Sequence, residues 1–231
     1  IGLEELKDVL YHLQMQRMHD SVRKRYYDAQ NIELTESELS RYFFNKVQKM
    51  NLLPYFINGK LRISGHLSVV QRKIIEFFRF MNSLSTGHQN LPEGLRVHFL
   101  TTNYDYVVET IFDYILGSDD SFSHYFYRGF TPVEILGLRR ITTIPDHWLV
   151  QNLFKLNGGF EIFQNEYRKF SLNYSKITSK DGHVPTIILP CRNQDYSSEY
   201  FKQIFPKAVR LAQESKVLVV VGTSFPGESR F

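Results

Sequence analysis

The stretch Leu95-Arg96-Val97-His98-Phe99-Leu100-Thr101-Thr102-Asn103-Tyr104-Asp105, followed by Tyr106-Val107-Val108-Glu109-Thr110-Ile111, decides the reading of this chain. A short, largely apolar run, Leu95 to Thr101, predicts a buried strand. It passes through a tight polar turn into Val107, Val108, Ile111 and Ile115, whose spacing predicts a helix. A strand, a turn and a helix in direct succession are half of a βαβ unit.

Working outward, further short strands are expected at Tyr125 to Tyr127, Arg139 to Ile144, Leu153 to Leu156 and Pro185 to Leu189. A helix is expected from Ser197 to Ser215, kinked or split by Pro206. Lys216 to Val221 is a β-branched run ending at Gly222, expected to be a strand buried on both faces. Short apolar strands alternating with helices predict a mostly parallel sheet covered by helices on both faces.

Upstream the texture is helical. Leu6, Leu10, Leu13 and Met18 predict an amphipathic first helix, and Thr35 and Glu38 form a capping box ahead of Tyr42, Phe43, Phe44 and Val47. A third helix is expected after Gly65, with Val70, Ile74, Phe77, Phe78 and Met81 on one side, ending in the polar stretch Ser83 to Pro92. Residues 30–92 therefore read as a helical insertion within a single domain spanning residues 1–231.

Composition narrows the function classes. The chain has 231 residues, 42% of them hydrophobic, enough for one substantial core. Its 28 basic and 24 acidic residues leave a net charge of +4, a mild excess that permits phosphate-bearing ligands without demanding nucleic acid. The basic run Arg23-Lys24-Arg25 reads as a solvated helix face. A single cysteine, Cys191, excludes an internal disulfide and a four-cysteine zinc module, and suits a reducing cytosol. The eight histidines form no pair at ligand spacing on one helix face, so no metal site is expected. No apolar window reaches the roughly 18 residues of a membrane span, and the expectation is a cytoplasmic protein with no membrane partner.

In open α/β sheets ligands lie beyond the carboxyl ends of the strands, and polar residues gather at three such ends. Thr101, Thr102, Asn103 and Asp105 follow the first strand, either to bind a ligand or to cap the next helix. Asn157, Gly158 and Gly159 follow the strand ending at Lys155 and Leu156, where glycine admits a close backbone approach or simply a turn. Gly222, Thr223 and Ser224 follow Val221 and offer N–H groups and hydroxyls to a ribose or phosphate.

In this order the three motifs resemble the sirtuin family in its broad sense: a strand ending in Thr-Xaa-Asn-Xaa-Asp, one ending in His-Gly, and a late strand ending in Gly-Thr-Ser. The stretch Pro185 to Glu228 looks like the bacterial sirtuin-like branch that serves in anti-phage defence. The resemblance covers residues 95–231 and implies a Rossmann-like fold that binds NAD+. It implies that Asn103 positions the nicotinamide ribose and the attacking water, that Asp105 holds the carboxamide, and that Gly222, Thr223 and Ser224 contact the adenosine half. It further implies cleavage of NAD+ to nicotinamide and ADP-ribose, and a place in a larger assembly, as a homo-oligomer or beside a defence-system sensor, with nucleic acid engaged only indirectly.

The chain departs from that pattern in three ways. Asn157 stands where the family has its general-base histidine, and an amide takes no proton near neutral pH; His147 is the substitute considered. The substitution points to a slow enzyme, to a binding-only sensor or scaffold, or to an engineered trap. The glycine-rich loop that would follow a first strand is missing, and Ile1 to Leu6 look like what comes after it, so the chain reads as truncated at both ends. The zinc-module cysteines of protein deacylases are absent, which disfavours deacylation.

Overall fold

The computed structural model describes residues 38, 41–42, 44–45, 55–57, 60–62, 67–86, 96–116, 126–136, 151–174, 185–188 and 196–222. Its elements are strands β1 (Tyr55–Ile57) and β2 (Lys60–Arg62), helix α1 (Val69–Thr86), strand β3 (Phe99–Thr101), helix α2 (Val107–Leu116), strands β4 (Phe126–Tyr127), β5 (Ile135–Leu136), β6 (Gln151–Lys155), β7 (Ile162–Gln164) and β8 (Phe170–Asn173), and helix α3 (Glu199–Glu214). The content is mixed α/β with small sheets. The expected first helix and the strand expected at Arg139 to Ile144 lie outside the described residues.

The strand predicted at the opening motif forms, and it pairs in parallel with the strand predicted at Leu153. Phe99 aligns with Leu153, Leu100 with Phe154 and Thr101 with Lys155. On the other side of β6, β4 also runs parallel, with Phe126 opposite Gln151. The order β3-β6-β4 puts β6 in the middle, and its burial agrees: Leu153 and Phe154 are buried while Asn152 is half-buried. Such two-sided burial is what parallel strands need.

An aromatic cluster locks α1 and α2 onto this sheet. Phe112 of α2 meets Phe126 at a centroid distance of 4.8 Å and Phe99 at 5.4 Å, both edge-on. Phe78 of α1 stacks on Phe99 at 5.5 Å. Such pairs contribute about 0.5–1.5 kcal/mol beyond their area burial. They also set the rotation of α1: Ile75 is buried and Gln71, Phe78 and Asn82 half-buried, while Val70, Ile74 and Phe77 of the expected stripe stay exposed. Apolar residues stand on more than one side of this helix, and contact with β3 and α2 selects the side that packs.

The upstream stretch is not purely helical. Glu38, Arg41, Tyr42, Phe44 and Asn45 are helical, and Phe44 enters the core against Phe160 at 5.2 Å and Tyr106 at 6.3 Å. β1 and β2, however, pair as an antiparallel ladder, with Tyr55 opposite Arg62 and Ile57 opposite Lys60. Asn58-Gly59 stands between them in the sequence, the residue pair that favours two-residue hairpin turns.

Three other expectations are corrected. α3 runs unbroken through Pro206. An interior proline costs about 3 kcal/mol, but this one is exposed, and the buried face of Tyr200, Phe201, Ile204 and Ala208 holds the helix against the sheet. Of the strand expected at Pro185 to Leu189, the described residues 185–188 form the bridge between Gly158 and Ile187 and backbone bonds to Ile162 and Asn157, but no strand. The run Lys216 to Val221 is no buried strand: it is exposed throughout and enters no ladder among the described residues. Composition made it fit for burial, yet burial on two faces needs a neighbour on each side.

A second small sheet, β5-β8-β7, comes from strands too short to show periodicity. β5 pairs parallel with β8, and β7 pairs antiparallel with β8 across the turn Asn165 to Lys169.

Candidate functional site at the strand ends

The parallel register of β3 and β6 carries the first two polar motifs to one edge. Past Thr101 and Lys155 the ladder continues for one more bond, Leu156 N–H to Thr101 O at 2.7 Å. The side chain of Asn157 then bridges the loops: its Nδ2 donates to Thr102 O at 3.2 Å, and its Oδ1 accepts from Tyr196 Oη at 3.1 Å. Phe160 N–H reaches Tyr104 O at 3.3 Å, and Tyr104 Oη donates to Ile188 O at 2.6 Å.

Within this edge the predicted residues divide. Thr102 and Asn103 are exposed; Asn103 N–H is held by Thr101 Oγ1 at 3.1 Å, and its carboxamide has no partner among the described residues. Asp105 turns inward as a cap, accepting Val107 N–H on Oδ1 at 3.1 Å at the start of α2. Burial pushes the Asp105 carboxyl above its ordinary range, against the opposing pull of Lys155 and of the Val107 N–H. Gly158 has φ +80, and a Cβ there would lie 1.9 Å from Thr186 O. Its glycine is thus explained by the close passage of residues 185–188. Gly222 is exposed, with nothing within 4 Å of where a Cβ would be; Thr223 and Ser224 lie outside the described residues, as do His147 and Cys191. The first two motifs meet; the third lies mostly outside the described residues.

Beneath the strand ends lies a set of charges that motif reading missed. Lys155, Glu109, Glu161 and Arg128 are all buried. Lys155 Nζ lies 2.8 Å from Glu109 Oε1 and 2.9 Å from Glu161 Oε1, and also donates to Asp105 O. Arg128 donates from Nη1 to Glu109 Oε1 at 3.2 Å and to Tyr174 Oη at 2.8 Å, and from Nη2 to Glu161 Oε1. Two cations cancel two carboxylates, which is what lets them stay ionised out of water.

The two glutamates are poised differently. Burial raises both, but at Glu161 the attraction of Lys155 and Arg128 outweighs it and holds the carboxyl below its usual range. At Glu109 the same attractions only partly offset burial, and its affinity for a proton is raised. Each has a second oxygen, Oε2, with no hydrogen-bond donor. Gly159 is small because Glu161 lies under it: a Cβ there would stand 2.4 Å from Glu161 Oε2.

The network connects α2, β4, β6 and the turn after β6, so it fixes how those segments meet beneath Asp105. One sequence signal for it existed. Asp105, Glu109 and Phe112 share a face of α2 by their spacing, so Glu109 is a charge on the side that packs inward. Tyr196 had no signal.

His98 lies away from these groups. Its Nδ1 accepts Asn152 N–H at 3.0 Å, which needs a neutral ring, and burial followed by Arg96 lowers its pKa accordingly. Among the described residues no group of three or more His, Cys, Asp or Glu is placed to hold a metal ion, and no helix is long and apolar enough to cross a membrane. No protein-family model matches the chain, and no curated protein matches it.

Proposed function

We propose that this chain is a sirtuin-like, Rossmann-type domain that binds NAD+ at the carboxyl ends of β3 and β6. The observation that supports the reading is the junction of Thr102 O with Asn157 Nδ2: two motifs 55 residues apart that the resemblance assigns to one ligand lie side by side, with the Asn103 carboxamide exposed beside them. The donor set suits such a ligand. Asn103 would face the nicotinamide ribose and Asp105 the carboxamide, while Gly222, Thr223 and Ser224 would serve the adenosine half. Bound NAD+ supplies the reacting bond itself, between the ribose anomeric carbon and nicotinamide, whose hydrolysis yields ADP-ribose through an oxocarbenium-like transition state.

The reaction is proposed to be slow. Asn157 has no basic atom, and its side chain is committed to Thr102 and Tyr196. A positioned general base contributes roughly 10²–10⁴ in rate, and none is supplied at this position. That commitment favours a second reading, in which the domain holds NAD+ or ADP-ribose as a sensor or scaffold. The setting proposed for either is a cytoplasmic anti-phage assembly, in which the domain is a homo-oligomer or stands beside a sensor protein.

Nicotinamide release from NAD+, followed by chromatography for the full-length protein and its Asn157→His variant, tests both. Release by the histidine variant alone marks position 157 as the missing base. Measurable NAD+ binding with release by neither selects the sensor. Absence of binding in both, with the fold intact, removes the proposal.

A further inference from the structure

On the β4 side of the three-stranded sheet, away from β3, a cavity of about 460 Å³ opens between the end of β4 and the loop after it, the β7–β8 turn and the middle of α3. That volume lies within the roughly 300–1,000 Å³ of small-molecule sites. Its apolar wall is built from the half-buried Tyr127, the exposed Val133 and the buried Phe130 and Phe170, the last two tilted against each other at 5.2 Å. Its polar wall is cationic: Arg168, Lys169 and Lys207.

No carboxylate is among the described residues that line the cavity. Lys207 sits over the Tyr127 ring, 5.5 Å from its centroid, and donates to Tyr127 Oη at 3.2 Å and to Gly129 O, both uncharged acceptors. Of its three N–H bonds one is left. On α3, Glu199 accepts from Gln203 at 3.3 Å and Glu214 from Arg210 at 2.7 Å. Among the described residues Arg168 and Lys169 form no ion pair.

The turn that presents these cations is fixed. Asn165 Oδ1 accepts N–H bonds from Tyr167 at 3.0 Å and Lys169 at 2.9 Å. Arg168 takes a left-handed backbone, φ 59, where asparagine or glycine would be more comfortable. An arginine is thus held in a conformation that a turn alone would assign to another residue type.

We propose that this cavity binds a nucleotide, with its phosphates among Arg168, Lys169 and Lys207 and its base beside Tyr127 and Val133. Three cations with no ion pair among the described residues recognise a multiply charged anion through charge-assisted bonds. Tyr127 and the exposed Val133 give a flat ring an apolar surface next to those charges. The site shares no lining residue with the β3–β6 strand ends and stands whether or not NAD+ binds there.

Isothermal titration of the full-length protein with ADP tests the site, with adenosine and inorganic pyrophosphate run alongside. The variants are the double change Arg168→Asn and Lys169→Gln, which removes both exposed charges and gives the left-handed position a residue suited to it, and Lys216→Gln, which removes an exposed charge that lines neither site. ADP is expected to bind more tightly than either fragment, to weaken as salt is raised, and to lose affinity by about tenfold or more in the double variant. Lys216→Gln leaves that binding unchanged. Binding that survives the double variant, or that falls equally in Lys216→Gln, places the ADP elsewhere and overturns the proposal. Equal affinity for adenosine, or binding of a glutamate-rich peptide with none of ADP, overturns it as well.

Discussion

Lys155 and Val219 lie far apart on any hydropathy scale, and the fold treats them in the reverse of the usual order: the lysine is 1% exposed and the valine 63%. Around Lys155, every charge has an opposite charge within hydrogen-bond reach. Around Val219 the chain from Lys216 to Gly222 is exposed and enters no ladder among the described residues. Burial follows the availability of partners at least as much as the residue type.

The largest effect is expected where a partner is removed from the buried set. Lys155→Met leaves Glu109 and Glu161 with Arg128 alone and takes a donor from Asp105 O. Removing one member of a buried ion pair costs about 3–5 kcal/mol, readable as a drop in the denaturant midpoint. Replacing all four charges together with apolar residues is expected to cost far less than the four single changes summed, because no charge is then left unpaired. Additive losses would show that each group is held independently.

Next in size is Gly158→Ala, which places a methyl on the backbone of Thr186 at a left-handed φ. Strain of this kind costs about 1–3 kcal/mol before the clash is counted. Urea unfolding is expected to show a loss of at least that size, with NAD+ binding reduced in parallel because Asn157 shifts with its neighbour. Stability lost with binding unchanged would separate the turn from the site.

How much of this was readable beforehand follows the same division. β3, β6 and α2 were legible because an apolar run, a polar stop and a helical period all agree at Leu95 to Ile115 and at Leu153 to Asn157. Within the site, Asn103, Asp105 and Asn157 were legible as polar groups at strand ends. The charged set was not, since Glu109, Arg128, Lys155 and Glu161 come from separate elements and have no fixed spacing. Strands of two to four residues, β5, β7 and β8, are shorter than any periodicity can mark. Lys216 to Val221 was misread because six residues state their own hydropathy and say nothing of what lies beside them.

A smaller effect separates function from stability at Asp105. Its carboxyl pKa is raised in the folded protein, so ionisation weakens folding: the cost sets in as pH rises through about 3.9, the ordinary value, and is complete above the raised one. Asp105→Asn keeps an acceptor for Val107 N–H and carries no charge. It is expected to melt higher than the parent at pH 7, with the difference vanishing as pH falls below about 4, while binding NAD+ more weakly. A lower melting temperature at pH 7 would mean that attraction to Lys155 outweighs burial. Glu161 works in the opposite sense: its lowered pKa adds stability above the ordinary glutamate range, lost as pH falls through the folded value.

The smallest effect is expected at Val219→Lys, and it bears hardest on the comparison. An exposed side chain with no packed neighbour loses nothing on becoming charged, so the change in unfolding free energy is expected to stay within about 0.5 kcal/mol. An exposed, β-branched run is also an open template for strand pairing between chains, and a lysine at its centre opposes that. Light scattering as a function of concentration is therefore expected to show less self-association in the variant. A loss of stability comparable to that of Lys155→Met would place Val219 in a covered environment, and the inversion between the two regions would no longer hold.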